Sequence, residues 1–222
     1  MKIYARSSDG GTSAALFFLT LLFFSVQFLF SEPTPIKRTD YLYPPKEVQY
    51  LNAGLKVQMA DSFWLRAVQD IDFCDRPVSQ SECEGKSWLF HVIDLATDLD
   101  KKFLEAYFYG ALSLTIIVQD YAGASVIFDK GVEQFPSSRF LLYAAGYHAM
   151  FEEKNTLKAA RLYLAAANNG APEWVRLMAG RLASEAGDQS TAEQVLQQLI
   201  EAEKDPLWIE KLKKKIEQSK GR

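Results

Sequence analysis

The amino-acid sequence predicts an all-α fold, in which an α-solenoid of antiparallel helix pairs follows an N-terminal transmembrane helix. A motif of alanine, then an aromatic residue or leucine four positions later, then a small residue or leucine, occurs three times. Its alanines are 35 and then 33 residues apart, a period typical of stacked helical repeats. The motifs are Ala124-x3-Phe128-x2-Gly131, Ala159-x3-Tyr163-x2-Ala166 and Ala192-x3-Leu196-x2-Leu199.

Each motif is predicted to lie on the second helix of a pair, and a glycine precedes it on the first helix. These glycines are Gly110, Gly146 and Gly180. Two helices cross closely where one presents a small residue and the other presents a side chain that fills the gap. We therefore expect three tightly packed pairs. An ordinary helical bundle with small residues at its crossings is the alternative.

The turns within the pairs and the prolines after them agree with this period. Gly187 and Asp188 fall at the turn of the last pair, where a residue that tolerates positive φ is needed. The other two turns are predicted at Gln119-Asp120-Tyr121 and Glu153-Lys154-Asn155. A proline can begin a helix but cannot continue one, and prolines mark the ends of the second helices. They are Pro136, Pro172 and Pro206.

The order of glycine, alanine with an aromatic residue, and proline resembles the tetratricopeptide repeat family. The family pattern is matched by Gly110, Ala124, Phe128 and Pro136, and the resemblance covers about residues 105–206. A degenerate pair is predicted before it. Its first helix would run from Lys46 to Ile71 and include Ala53 and Gly54, and its second would carry Leu89, Ile93 and Ala96.

The amino end carries the information on topology. Residues 14–30 form an uncharged run of 17 residues, close to the shortest length that spans a bilayer. A signal peptide has a shorter apolar region and a cleavage site of small residues. We therefore predict a tail at 1–13 and an uncleaved signal anchor at 14–30, with secretion after cleavage as the alternative.

A spacer and the repeat domain follow the anchor. Residues 31–45 contain four prolines and are predicted to be an extended spacer that holds the domain off the membrane. Residues 46–222 form the helical repeat domain. Its basic end, from Lys211 to Arg222, is interpreted as the solvated face of a capping helix, since a solenoid needs a polar end. An anionic partner is the alternative.

The two cysteines, Cys74 and Cys83, lie in a polar loop between the first two helices of this domain. Eight residues separate them, which is enough to close a short ring. If the domain is exported, we predict a disulfide, which would stabilise it by about 2.5–3 kcal/mol. Two free thiols in a cytosolic loop are the alternative.

The sequence contains no motif for catalysis, a cofactor or a metal. His91 and His148 each lie among apolar residues inside a predicted helix and are interpreted as structural. A net charge of −3 argues against a nucleic-acid partner, which would need a basic face. We therefore expect a protein that is not an enzyme and has no small-molecule substrate; an enzyme or carrier with an unrecognised site is the least favoured alternative.

The resemblance to tetratricopeptide repeats implies where a partner would bind. In that family the first helices line a concave groove, and equivalent positions here are rich in aromatic residues, which are enriched at binding hot spots. The implied protein-binding residues are Tyr107, Phe140, Tyr143, Tyr147, Met150, Trp174, Leu177 and Arg181, with Ala111, Leu114, Phe151 and Glu185 beside them. The helix from Lys46 to Ile71 could instead fill this groove.

These features favour a non-enzymatic, membrane-anchored scaffold of the bacterial cell envelope that mediates protein–protein interaction. Its repeat domain would lie on the periplasmic side of the inner membrane and bind a protein or peptide in an apolar groove. The alternative is a structural subunit of an envelope complex, whose groove is filled by its own chain or by that complex.

Overall fold

The computed structural model of the protein describes residues 17–23, 25–26, 43–50, 53–70, 87–202 and 204–220. The chain divides into two compact units, Met1–Asp40 and Tyr41–Arg222. The regular secondary structure of the described residues is helical throughout, without a strand. The predicted all-α class is therefore confirmed.

The first unit contains part of the predicted anchor. Residues 17–23 and 25–26 are helical. Among the residues that the structure describes, no helix combines the length and the apolar character needed to cross a bilayer. The remainder of 14–30, the tail at 1–13 and most of the spacer lie outside the described residues, so the anchor stays a prediction.

The second unit contains nine α-helices within its described residues. They are α1 (Lys56–Gln69), α2 (Trp88–Leu99), α3 (Leu104–Ser113), α4 (Tyr121–Gln134), α5 (Arg139–Phe151), α6 (Thr156–Asn168), α7 (Glu173–Glu185), α8 (Gln189–Glu201) and α9 (Pro206–Lys220). A short 3-10 helix, Lys46–Gln49, precedes α1, and a π-helical segment, Leu114–Val118, continues α3.

The helices pack as consecutive pairs, α1 with α2, α3 with α4, α5 with α6 and α7 with α8, and α9 covers α7 and α8. The two larger apolar cores of the described residues lie between them, one built by α1 to α5 and the other by α5 to α9. Helix α5 contributes Leu141 and Ala145 to the first core and Leu142 and Ala149 to the second. The pairs are therefore joined through buried residues of a shared helix.

Two of the three glycines face the second helix of their own pair, as predicted, although the side chain that fills the gap at Gly180 is Val195 and not Leu196 of the motif. A Cβ added to Gly146 would lie 3.0 Å from the Tyr163 ring on α6, and one added to Gly180 would lie 2.8 Å from Val195 on α8. Gly110 differs. Its nearest neighbour is Ile93 on α2, 2.8 Å from such a Cβ, so the prediction that it packs against the second helix of its own pair is wrong.

The three predicted turns share one local structure. A residue of positive φ, Gln119 (62°), Lys154 (56°) or Gly187 (79°), ends each first helix. The next residue caps the second helix, since its side chain accepts a hydrogen bond from a backbone N–H of the first turn. These caps are Asp120, Asn155 and Asp188, at the same 35- and 33-residue spacing as the motif alanines.

The predicted continuous helix from Lys46 to Ile71 is wrong in its first part. Ala53 and Gly54 adopt φ values of 46° and 82°, which no right-handed helix contains. Helix α1 therefore begins only at Lys56. It packs on α2 through Ala60, which is buried against Leu95 and Leu99.

Candidate functional site

The candidate site begins with a row of aromatic side chains on α5. Phe140, Tyr143, Tyr147 and Phe151 follow one another at steps of three or four residues, so they lie on one side of the helix. Phe140, Tyr147 and Phe151 are exposed, with 48% of Tyr147 accessible. The Tyr147 and Phe151 rings are in contact, with centroids 4.5 Å apart.

Trp174 on helix α7 extends this row of aromatic side chains. Trp174 is 47% exposed, and its indole meets the Tyr143 ring edge-on, with centroids 5.8 Å apart. The predicted approach of these two residues is therefore present in the structure. We call Phe140, Tyr143, Tyr147, Phe151 and Trp174 the aromatic face.

The buried side of α5 explains why the aromatic face holds its position. Gly146 has no side chain, so the Tyr163 ring of α6 packs directly against the α5 backbone. Tyr163 is buried, and its ring lies 5.4 Å from that of Tyr143. Burial, reinforced by the neighbouring tyrosines, raises the pKa of Tyr163. Tyr143 is thus fixed between a buried neutral phenol and the exposed Trp174.

Cation–π contact orients the amino-terminal end of the aromatic face. The Arg139 guanidinium lies 4.7 Å from the centroid of the Phe140 ring, a distance at which the ring attracts a cation. Arg139 also donates a hydrogen bond to the Gly170 carbonyl oxygen, 3.2 Å away. The first turn of α5 is therefore linked to the loop that precedes α7.

Tyr107 is not part of the exposed surface, so its predicted place in a groove is wrong. It is 1% exposed, its ring packs against Phe135, and its hydroxyl donates to the Thr97 carbonyl oxygen at 3.2 Å. Burial is the main cause that raises the pKa of Tyr107 to about 12, and the negative charge of nearby Asp98 is the second. The neighbouring positions Ala111 and Leu114 are buried as well.

The error at Tyr107 has a structural cause. The positions implied by the resemblance assume that the first-helix glycine makes the same crossing in every pair, but Gly110 faces α2, whereas Gly146 and Gly180 face their own second helix. The exposed side of α3 therefore carries different residues, among them Glu105 and Tyr109, and the π-helical segment that follows exposes Ile116. Binding positions can be carried over from one helix pair to the next only where the glycine makes the same crossing in both.

The three remaining predicted residues differ in exposure. Met150 is half-buried and packs against the second core. Leu177 is also half-buried, whereas Arg181 is exposed and lies 4.0 Å from Glu185. Leu177 and Arg181 border a cleft between α7 and α9.

This cleft has a volume of about 320 Å³. It is lined by Trp174, Leu177, Met178, Arg181, Lys211, Leu212 and Lys215. The α9 residues are not among the predicted binding residues, because the sequence favours a polar cap for this basic end and an anionic partner only as the alternative. The feature of the sequence that could have indicated them is the basic composition of α9 itself.

Three cations surround the cleft and one nearby carboxylate opposes them. Lys215 pairs with Glu185 at 2.9 Å, and Arg181 approaches the same carboxylate. Within the described part of the chain, Glu185 is the only acidic residue at ion-pair distance from these three cations. The cleft therefore keeps a net positive charge.

His148 lies in the interior, as its apolar neighbours in the sequence suggested. Its Nδ1 is 3.0 Å from the Thr115 hydroxyl, and its Nε2 is 3.0 Å from the Ser125 hydroxyl and 3.2 Å from the Tyr121 carbonyl oxygen. Burial lowers the pKa of His148. A neutral imidazole protonated at Nε2 can donate to the Tyr121 carbonyl oxygen, while the Thr115 hydroxyl donates to the Ala111 carbonyl oxygen 2.9 Å away.

Two further sequence predictions concern thiols and metals. Cys74 and Cys83 lie outside the described residues, so their disulfide stays a prediction. The described residues contain no group of three or more His, Cys, Asp or Glu side chains placed to hold a metal ion.

No family model, curated protein or solved structure matches this chain. The likeness to tetratricopeptide repeats accordingly rests on the residue pattern.

Proposed function

We propose that this protein is a non-enzymatic, membrane-anchored scaffold whose tetratricopeptide-like repeats bind a protein or peptide through the aromatic face. One observation carries the proposal: aromatic side chains follow one side of α5, Tyr147 packs on Phe151 and Tyr143 meets Trp174 of α7, and Tyr147 and Trp174 are about half exposed. Exposing such rings to water is unfavourable, and contiguous apolar patches mark interaction sites. Tyrosine and tryptophan are also the residues most enriched at binding hot spots.

The packing of α1 favours an open groove over one filled by the chain itself. Helix α1 packs against α2, whereas Tyr147 and Trp174 stay accessible. Removing these two rings from water would contribute favourably to the free energy of binding a partner. In the alternative role, as a structural subunit, another chain of the same complex would cover these rings permanently.

A photocrosslinking amino acid placed at single positions tests this function. At position 147 we expect a discrete crosslinked product in native membranes. At position 126 on α4, where Val126 is also exposed, we expect none. Equal products at both positions, or none at 147, would argue against binding at the aromatic face.

The location in the cell is part of the proposal. The apolar run at 14–30 would anchor the chain in the inner membrane of a bacterium, with the repeat domain in the periplasm, where Cys74 and Cys83 would be joined. Maleimide labelling of intact cells tests this. We expect labelling only after reduction, without breaching the inner membrane. Labelling without reductant, and only after that membrane is opened, would mean a cytosolic domain.

A further inference from the structure

The cleft between α7 and α9 combines an apolar floor with a cationic rim. Leu212 is buried, and Leu177 and Met178 are half-buried, so the floor is recessed from the protein surface. Arg181 and Lys211 are exposed beside it. Its volume, about 320 Å³, lies at the lower end of the range of ligand pockets and suits a large apolar side chain.

The charge of this region is opposite to that of the whole chain. The chain carries a net charge of −3, yet residues 206–220 contain five lysines and two glutamates. At the cleft, Glu185 offsets only part of the charge of the three cations. A local positive field in an acidic protein attracts acidic ligands and repels basic ones.

The cleft is continuous with the aromatic face. Trp174 belongs to both, because its ring meets Tyr143 on α5 and also lines the cleft. A peptide segment bound along the aromatic face therefore reaches the cleft without leaving the protein surface. The two sites are parts of one elongated surface across α5, α7 and α9.

We propose that the cleft anchors an acidic amphipathic segment of the protein that binds the aromatic face. A large apolar side chain of that segment fills the cleft, and flanking Asp or Glu carboxylates pair with Arg181 and Lys211. The guanidinium of Arg181 can hold a carboxylate through two parallel hydrogen bonds. This inference rests on the proposed binding function of the aromatic face.

The recessed floor favours a peptide over an anionic membrane surface. A bilayer binds apolar side chains that project outward from a helix. Here the aliphatic floor does not project outward, since Leu212 is buried and Leu177 and Met178 are half-buried. A single side chain can enter such a cleft, whereas a flat lipid surface would reach only the rim.

Selection from a phage library of random peptides of about twelve residues tests the inference. The target is the full chain in detergent micelles. We expect enriched sequences in which Leu, Phe, Met or Trp is flanked by Asp or Glu. Enrichment of neutral or basic sequences, or of none, would overturn the inference.

The strongest enriched peptide is then measured by fluorescence anisotropy against paired variants. Arg181→Glu with Lys211→Glu should raise its Kd at least about tenfold, since two attractive pairs become repulsive. Lys213→Glu with Lys214→Glu makes the same charge change on α9 outside the cleft and should raise the Kd less than about threefold. Equal effects of the two pairs would contradict a specific cleft site.

Two further comparisons separate this inference from the proposed function. If Tyr147→Ala weakens binding and the cleft pair does not, the aromatic face binds but the acidic anchor is overturned. If the cleft pair weakens binding and Tyr147→Ala does not, the acidic ligand stands and the role of the aromatic face fails. Arg181→Gln with Lys211→Gln and circular dichroism control for folding. Cleft-dependent binding of dihexanoyl-phosphatidylglycerol, without peptide binding, would identify a lipid ligand and overturn the inference.

Discussion

The Trp174 indole on α7 lies edge-on to the Tyr143 ring on α5, with centroids 5.8 Å apart and ring planes at 84°. Tyr143 in turn lies 5.4 Å from Tyr163 on α6. The three rings lead from the core, where Tyr163 is 1% exposed, to the surface, where Trp174 is 47% exposed. The exposed ring is thus held in place by buried ones.

This arrangement predicts unequal effects of two truncations on stability. Tyr163→Ala removes a buried ring and should lower the free energy of unfolding by about 3–5 kcal/mol. Trp174→Ala removes a half-exposed ring and one edge-on contact, so we expect a loss of about 1 kcal/mol. Urea denaturation measures both. Similar losses would mean that Trp174 is a core residue.

Gly180→Ala tests the close crossing of α7 and α8. The new Cβ would lie 2.8 Å from Val195 Cγ1, which is closer than real Cβ atoms approach, and 3.0 Å from Leu212 Cδ2, which is a tight contact. We expect a net loss of about 1–2 kcal/mol in unfolding free energy, because overpacking outweighs the higher helix propensity of alanine. In the double variant Gly180→Ala with Val195→Ala, the measured loss of unfolding free energy should be smaller than the sum of the losses in the two single variants. A loss in the double variant that equals the sum of the two single losses would contradict a close crossing of α7 and α8 at this point.

The caps of α4 and α6 should differ in strength. Asn155 accepts one backbone hydrogen bond, from Lys158, so Asn155→Ala should cost about 1 kcal/mol. Asp120 is buried and accepts from Gly123 N–H and from both the N–H and the hydroxyl of Ser87. Asp120→Ala leaves these donors unpaired and should cost about 3 kcal/mol. Equal losses in chemical denaturation would show that the Ser87 contacts contribute nothing.

His148 should make the domain less stable in mild acid. Burial lowers its pKa in the folded state, against the opposing influence of Glu153 and Glu152 and of its bond to the Tyr121 carbonyl; Lys158 adds to the lowering. The unfolded chain therefore takes up a proton before the folded one. The stability that neutral His148 contributes is complete above its pKa in the unfolded chain, about 6.5. It declines as the pH falls from there towards the lower pKa of His148 in the folded state.

Unfolding free energies at several pH values measure this contribution. His148→Gln should flatten the decline that begins below pH of about 6.5, although part of it remains because the pKa of His91 is lowered too. An unchanged pH dependence in the variant would show that His148 is not the responsible group.

The sequence allowed the repeat and most of the aromatic face to be predicted because both depend on local order. The turn at Gly187 and Asp188 follows from backbone preferences, and the exposed side of α5 follows from helical periodicity. Tyr143 and Trp174 could be paired because Gly146 and Gly180 make the same kind of crossing.

The remaining errors and omissions come from contacts between distant segments. Tyr107 is buried because Gly110 packs against Ile93 on the preceding pair, which a motif read within one pair does not reveal. Lys211 and Lys215 join the cleft because α9 packs on α7, about thirty residues earlier in the chain. The break at Ala53 and Gly54 was missed because apolar periodicity continues across it.

Recovery of a partner by chemical crosslinking from native membranes, compared between Tyr147→Ala and the unaltered chain, tests the central claim most directly. Tyr50, which is also exposed, provides the matched control Tyr50→Ala. We expect recovery to fall well over tenfold in Tyr147→Ala, because truncating a hot spot costs about 2 kcal/mol or more of binding. Its melting temperature and the recovery with Tyr50→Ala should stay nearly unchanged. Unchanged recovery with Tyr147→Ala, or a melting temperature lowered as for a core aromatic residue, would contradict a binding role for the aromatic face.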